Sequence, residues 1–331
     1  MPRLKRRPVT RGGRAAEHRS AAPGLRTSPG ALRATIRLRR LIARLRPAII
    51  HANSSRAHAY TVPAACRRWP VVWHARDLAP LGIAGWFLVR GANRVIAISR
   101  AVAKSLARHG DPARVTVIHN GIDAESISPD RIQGDRVRAE LGLGAGQPLI
   151  GMVGQLVPWK RHPWFLEAAA RIASAVPQAR FAVAGGDLFG DHPDYESELR
   201  ARARSLGVTE RVRFLGHRAD ALQLIAACDV LLHPTECEPF GRVILEAMAL
   251  AKPVVAANAA GPAEIIEHSL SGLLVAPGDI DKMAAAVVGL LQRPEERAPI
   301  GARAREQVVR NFSITQTVSR IETVYREVAR G

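Results

Sequence analysis

From Leu149 onward the chain alternates short apolar runs with longer segments whose apolar residues recur every three to four positions. The runs are "LIGMVG", "RFAVAGG", "VRFLG", "DVLLHP", "PVVAAN" and "GLLVAP". They are too short for helices and too continuously apolar for strands with one wet face, so they predict buried parallel strands. Helical periodicity fills 162–175, 194–206, 219–227, 240–250, 262–268 and 279–292 between them. Residues 30–141 repeat the theme. The helix-like "ALRATIRLRRLIARLR" sets Leu32, Ile36, Leu41, Ile42 and Leu45 near one face. Strand "AIIHAN", helix 55–67, strand "VVWHA", helix 83–91, strand "RVIAIS", helix 100–109 and strand "RVTVIHN" follow. Such alternation is built from βαβ units, so the expected class is α/β with two Rossmann-like parallel-sheet domains facing across a cleft.

The expected division has four parts. Residues 1–29 are rich in Arg, Gly, Pro and Ser without periodicity and read as disordered. Residues 30–141 form the first domain, "GLGAGQP" from Gly142 to Pro148 a linker, and 148–312 the second domain. In 313–331, Val318, Ile321, Tyr325 and Val328 form one stripe, predicting a helix that docks back toward the first domain. Ligands of such sheets sit beyond the carboxyl ends of the strands, so the strand-to-helix loops are where chemistry is expected.

Charge is uneven. Residues 1–46 hold fourteen Lys and Arg against Glu17, a net of +13 out of +19 for all 331 residues. A basic arm attracts nucleic acid or an anionic membrane face. Aromatics are few and no nucleic-acid-binding motif is present, so no nucleic-acid partner is expected. The basic helix 31–46 suits peripheral contact with an anionic membrane as well as it suits an ordinary domain-covering role. Cys66, Cys228 and Cys237 are too sparse for a disulfide framework or a zinc site. No apolar run reaches the roughly 18 residues a membrane span needs, and no secretory signal opens the chain. A cytoplasmic location, or the cytoplasmic face of a membrane, is expected.

Three features imitate chemistry. "GLGAGQ" precedes a strand, whereas a dinucleotide fingerprint must follow one. Asp279 and Asp281 form an acid pair, but Asp279 opens a helix and reads as its N-cap. "GDLFGDHPD", with Asp187, Asp191, His192 and Asp194, is as much a solvated turn as a metal loop. No metal and no cofactor is expected.

The segment "TECEPFGRVILEAMALAKPVV" is harder to dismiss. Glu238 and Glu246 flank and enter an apolar run, where an unpaired carboxylate costs several kcal/mol. Glu238 falls in the loop after a buried strand; Gly241 opens a helix whose free N–H groups and dipole form an anion site. Two acceptor-only carboxylates beside a phosphate-binding helix start fit a sugar joined to a nucleotide. Equally, Glu238 could cap the helix and Glu246 pair with an arginine.

"ECEPFGRVILEAMALAKPVVAANAAGPAEII" resembles the E-x7-E segment of retaining GT-B glycosyltransferases, in particular glycosyltransferase family 4. "GMVGQLVPWKRHPWFLEAAA", "FAVAGGD", "RVRFLGHRAD", "SGLLVAPGD" and "RIETVYREV" follow in that family's order, as do "RPAIIHANSS", "VVWHARDLAP", "RVIAISRAV" and "VTVIHNGID". The resemblance covers roughly residues 30–329. It implies an enzyme moving a sugar from a nucleotide-diphosphate sugar to a glycan or lipid-linked acceptor hydroxyl, with retention and without a metal, in cell-surface glycan or glycolipid synthesis. The implied catalytic residues are Glu238, holding the donor sugar, and His74, facing the acceptor. Glu246 would hold the ribose and Lys160 the diphosphate, with Gly154, Gln155 and Arg161 beside it. Gly216 to Arg218 would lie by the base, Phe240, Gly241, Arg242 and Val243 at the helix start, and Asn120 near the cleft.

The chain departs from the family pattern in places. Gln155 stands where Arg is usual, Arg161 where Gly follows the lysine, and Ala260 for one of two glycines before "PAEII". Nothing before residue 30 resembles the family's opening strand–glycine-loop–helix units, so the first domain is expected to lack them through N-terminal truncation. The alternatives are a non-catalytic nucleotide-sugar-binding protein and a nucleotide-sugar epimerase of the same fold.

Overall fold

Two all-parallel sheets organise the computed structural model, which describes residues 29–330 apart from Ala79 and Ala145. Of the basic stretch 1–29, read above as disordered, residues 1–28 lie outside the described residues, and Pro29 opens a helix. The first sheet runs β1 (Ile50–Ala52), β2 (Val71–Ala75), β3 (Arg94–Ala97) and β4 (Val115–Val117), neighbours in sequence and in space. Helices α1 (Pro29–Leu45), α2 (Ser55–Ala65), α3 (Ala84–Gly91) and α4 (Arg100–Ala107) flank or link these strands. Ser54 and Ser99 cap α2 and α4 by accepting from the N–H groups of Ala57 and Val102, the ordinary use of serine at a helix start.

The chain then crosses to the second half. α5 (Asp135–Glu140) is followed by β5 (Leu149–Val153), α6 (His162–Ala175), β6 (Arg180–Ala184), α7 (Tyr195–Ser205), β7 (Val212–Phe214) and α8 (Ala221–Ala227). After these come β8 (Val230–His233), α9 (Arg242–Ala249), β9 (Val254–Ala257), α10 (Pro262–Ile265), β10 (Leu273–Val275) and α11 (Ile280–Gln292). α12 (Pro294–Asn311) and α13 (Ile314–Arg330) complete the chain. No element is expected from sequence at α5 or α12. α5 was assigned to the first half, but its Val137 shares an apolar cluster with Leu149, Ala182, Leu224 and Ala227 of the second. The helix expected over 262–268 forms only its first turn.

Strand order in the second sheet is β10-β9-β8-β5-β6-β7. The chain winds outward one way from β5 and the other way from β8, and these two strands are hydrogen-bonded neighbours. The loops leaving β5 and β8 therefore diverge above adjacent strand ends, the point where doubly wound sheets hold ligands. Sheet topology alone thus brings the loop after Val153 and the loop after His233 together.

One apolar cluster runs through both halves, including Val95 and Ile122 from the first, Phe240, Ile244 and Leu245 from the second, and Val308 and Phe312 from α12. Arg305 of α12 ties the connecting segment down by donating to the carbonyls of Ala124, Ile127 and Ala249. The chain then returns: the Ile122 N–H donates to the Phe312 carbonyl, the Ile122 carbonyl accepts from the Ile314 N–H, and α13 lays Val324 and Val328 on Val72 and Ile96 of the first sheet and on Ile118 just after it.

His58, His74, His162 and His233 are all buried in these interiors. Burial pushes His58 down to about 4, and it pushes His74 and His162 down to about 3, helped by Arg76 and His51 for the former and by Lys160 and His233 for the latter. Each stays neutral in the folded chain but takes a proton near its ordinary pKa once unfolded. Stability is therefore complete above about pH 6.5 and falls below it, by at most about 1.4 kcal/mol per pH unit per histidine. Melting temperature is expected to drop steadily between about pH 7 and pH 5, and His58→Asn to flatten that slope. A profile flat across this window in thermal melts would contradict it.

Candidate active site

The loop leaving β5 passes Gly154 and Gln155, makes a single 3-10 turn at Pro158–Lys160, and enters α6 at His162. The loop leaving β8 runs from Pro234 to Gly241 and enters α9 at Arg242. Side chains stitch the two together. Thr235 Oγ1 donates to the Lys160 carbonyl at 3.2 Å, Arg161 pairs with Glu236 at 2.8 Å, and Lys160 Nζ meets Glu238 Oε2 at 2.5 Å. His233, at the end of β8, reaches the same Glu238 oxygen through Nε2 at 3.1 Å.

Lys160 and Glu238 are both largely buried, with side chains 12% and 9% exposed. Burial alone would raise the Glu238 carboxyl, but the hydrogen bond from His233 and the Lys160 charge outweigh it and hold its pKa at about 2. His233 is also fully buried, which pushes its own pKa down. It is therefore a neutral ring donating Nε2–H, and Lys160 supplies the positive charge. His233 was not anticipated from sequence; its one signal was a polar residue closing an otherwise apolar strand.

Gly241 opens α9 at φ +106°, a conformation only glycine adopts freely. No side chain caps this helix. Glu238 is thus not its cap, and the N–H groups of Arg242 and Val243 are left without an intrahelical acceptor. Glu246 accepts from Arg242 Nε at 2.8 Å, one turn apart on the same helix. The arginine pairing left open above is what forms, with Arg242 78% exposed and its hold correspondingly weak.

The other residues that the resemblance implies lie as follows. The Arg218 guanidinium forks between Glu140 and Asp220, at 2.6 to 2.8 Å, so it is committed to α5 and its own turn. The Phe240 ring stacks on His119 at 5.6 Å, beside Phe312. Gly154 backs onto the Lys160 side chain, and Gly216 follows β7 with its carbonyl accepting from Gly185. His74 is 3% exposed in β2, edge-on to His51 at 5.3 Å, and His51 Nδ1 meets the Tyr325 hydroxyl of α13 at 2.6 Å. Held neutral by burial, His74 is no proton-donating imidazolium. Asn120 accepts from Arg76 across the carboxyl ends of the first sheet.

Glu264 of α10 joins the halves. It accepts from the first two N–H groups of α4, Arg100 at 2.7 Å and Ala101 at 2.8 Å, and contacts His119 Nε2 at 3.0 Å. Carboxylate at a helix start is favourable for charge and for unsatisfied donors alike. A cavity of about 490 Å³ adjoins Glu264, His119 and Gln307; none of Lys160, Glu238 or Glu246 lines it. The acid loop "GDLFGDHPD" closes on itself, Asp187 accepting from the N–H groups of Asp191 and His192.

Two departures from the family pattern share one backbone feature. Arg161 has φ +61° and Ala260 φ +47°, the left-handed region where a side chain costs roughly 1–2 kcal/mol. Arg161 recovers some of this through Glu236 and by lying over the Trp164 ring at 4.9 Å. Ala260 has only a methyl to offer. Ala260→Gly is expected to stabilise the protein by about 0.5–1 kcal/mol in urea melts, while Arg161→Gly gains nothing. Destabilisation by Ala260→Gly would contradict the strain.

The chain matches the family Glycosyl transferases group 1 over residues 134–307 and Glycosyltransferase Family 4 over residues 3–126. A D-inositol 3-phosphate glycosyltransferase of Mycobacterium avium is 34% identical over 249 residues, covering 73% of this chain and 57% of that protein. D-inositol 3-phosphate glycosyltransferase 2 of Catenulispora acidiphila is 34% identical, covering 72% and 57%. The chain thus spans a little over half the length of these relatives. Anabaena Alr3699/HepE in complex with UDP-glucose superposes with a TM-score of 0.80 at 30% identity, covering 91% of this chain and 83% of that one. A glycosyltransferase from Rickettsia africae shares the fold at a TM-score of 0.81 and 20% identity, covering 92% and 83%. With the group 1 match spanning more than half of the chain, and an E-x7-E segment at the switch point of the second of two parallel sheets, the chain belongs to the family 4-like group 1 glycosyltransferases of GT-B fold.

Proposed function

We propose that the chain transfers a sugar from a nucleoside-diphosphate sugar to an acceptor hydroxyl with retention, without a metal ion. The observation that carries this is the meeting of Lys160 and Glu238 at the β5/β8 switch point, beside the uncapped start of α9. The bond from the anomeric carbon to the diphosphate breaks and leaves its electron pair on phosphate, while the acceptor oxygen bonds to that carbon and its proton passes to the departing phosphate oxygen. Lys160 and the Arg242 and Val243 N–H groups take up that charge, as pre-set donors do for leaving groups elsewhere. For this, Lys160 exchanges Glu238 for the diphosphate, and Glu238 turns to sugar hydroxyls with His233 still holding it. Glu246, about one turn into α9, holds ribose hydroxyls.

UDP-glucose bound to the Anabaena protein supports a UDP-sugar donor. The acceptor enters from the first half, past His74. The mycobacterial relatives are named D-inositol 3-phosphate glycosyltransferases. A phosphorylated polyol of that kind, or a glycan or lipid-linked glycan at a membrane face, is the acceptor class that fits.

Thermal shift against UDP-, GDP-, ADP- and TDP-sugars identifies the donor, because ligand binding stabilises the folded state by mass action. Glu238→Gln and Glu246→Gln are each expected to cut donor affinity or turnover about tenfold or more, about 1.4 kcal/mol. Unchanged kinetics in both would overturn these roles. Donor binding without turnover points to a non-catalytic binder, and an isomerised sugar formed without acceptor to an epimerase.

A further inference from the structure

Arg76 follows β2 directly, at the carboxyl end of the first sheet. Its Nε donates to Asn53 Oδ1 at 2.8 Å and its Nη1 to Asn120 Oδ1 at 3.4 Å. Asn53 follows β1 and Asn120 follows β4, so carboxamides from two separate loops fix the plane of the guanidinium. Both partners are neutral. The other cations here each hold a carboxylate: Lys160 has Glu238, Arg161 has Glu236, Arg242 has Glu246. Arg76 forms no ion pair with a carboxylate among the described residues. Its neighbour Asp77 instead accepts from Ser55.

The side chain is half-buried, and that burial disfavours its charge; Asp77 partly offsets the effect, and Arg242 of the second half adds to it from across the junction. A partly desolvated cation whose hydrogen-bond partners are both neutral is costly unless an anion completes it. Two of its five N–H donors are used, leaving three in a rigid planar fork that matches phosphate geometry.

We propose that Arg76 is a phosphate-binding residue contributed by the first half, closing over an anion that lies between it and the start of α9. The anion is a phosphoryl group, carried either by the donor diphosphate or by a phosphorylated acceptor. The identity of its carrier rests on the glycosyl-transfer reading; the anion site itself does not. Asn53 and Asn120 are positioning residues that aim the fork.

Arg76→Gln removes the charge and keeps a donor, and Arg76→Lys restores the charge without the fork. Both are compared with the full wild-type chain, with circular dichroism and melting to verify folding. If the donor supplies the phosphate, Arg76→Gln weakens UDP binding about tenfold or more in calorimetry and changes UMP binding much less. If the acceptor supplies it, UDP affinity is unchanged, and KM for a phosphorylated acceptor rises about tenfold while its unphosphorylated counterpart is unaffected. In either case Arg76→Lys recovers part of the loss. Unchanged UDP affinity and unchanged KM for both acceptors in a folded Arg76→Gln protein overturns the inference. Pyrophosphate separates the two readings. If wild type binds no nucleotide sugar, glycosyl transfer fails; pyrophosphate binding that weakens in Arg76→Gln still upholds the anion site, and equal binding by both proteins overturns it.

Discussion

The buried contact between Lys160 and Glu238 is the constraint around which the second half is arranged. A carboxylate nine-tenths removed from water is tolerable only when paired and hydrogen-bonded. Here the cation comes from the loop after β5, the neutral donor from the end of β8, and the carboxylate from the loop after β8. Strand order makes β5 and β8 neighbours, so this pairing is a product of topology rather than of nearness in sequence. Removing one partner of such a pair costs about 3–5 kcal/mol, because the other is left buried and uncompensated. A ligand that brings its own charge to Lys160 and its own hydroxyls to Glu238 can replace the contact without that penalty.

The site needs the first half at a defined distance, and the junction supplies it through few but directional contacts. Glu264 grips the start of α4 and His119, Phe240 and Phe312 close an aromatic group on His119, and Arg305 pins the connecting segment through three carbonyls. Gly261 is part of the same joint. A Cβ there would lie 2.2 Å from the Phe240 carbonyl oxygen, while its N–H donates to the Glu238 carbonyl. The loop that carries Glu238 is therefore also held by the turn that leads to Glu264. α13 extends the coupling to the other side, its Tyr325 reaching His51 next to His74.

Much of this was legible in the chain itself. Short apolar runs locate the strands, and the central ones, β2, β5, β6, β8 and β9, are covered on both faces and leave no alternation to misread. α6 begins and ends where its periodicity does, with Pro163 just inside its start. α12 escaped because its buried stripe of Ile300, Gly301, Ala304 and Val308 is mostly small, inside a segment dense in Arg and Glu. α5 is a turn and a half long and buries one side chain, Val137. Within the site, E-x7-E was visible, but the state of each acid was not: whether Glu246 meets Arg242 or a ribose depends on rotamers that sequence does not encode. Motif position likewise says nothing of which carboxylates the Arg218 guanidinium meets. Arg161 and Ala260 were flagged as substituted glycines, and the backbone there is indeed left-handed.

The central claim is that Lys160 is exchanged from Glu238 to a donor diphosphate. Calorimetric titration of wild type and Lys160→Met with UDP tests it most directly. The account predicts that wild type binds UDP and that Lys160→Met, folded but less stable, binds it about tenfold or more weakly. Equal UDP affinity in the two proteins would contradict it.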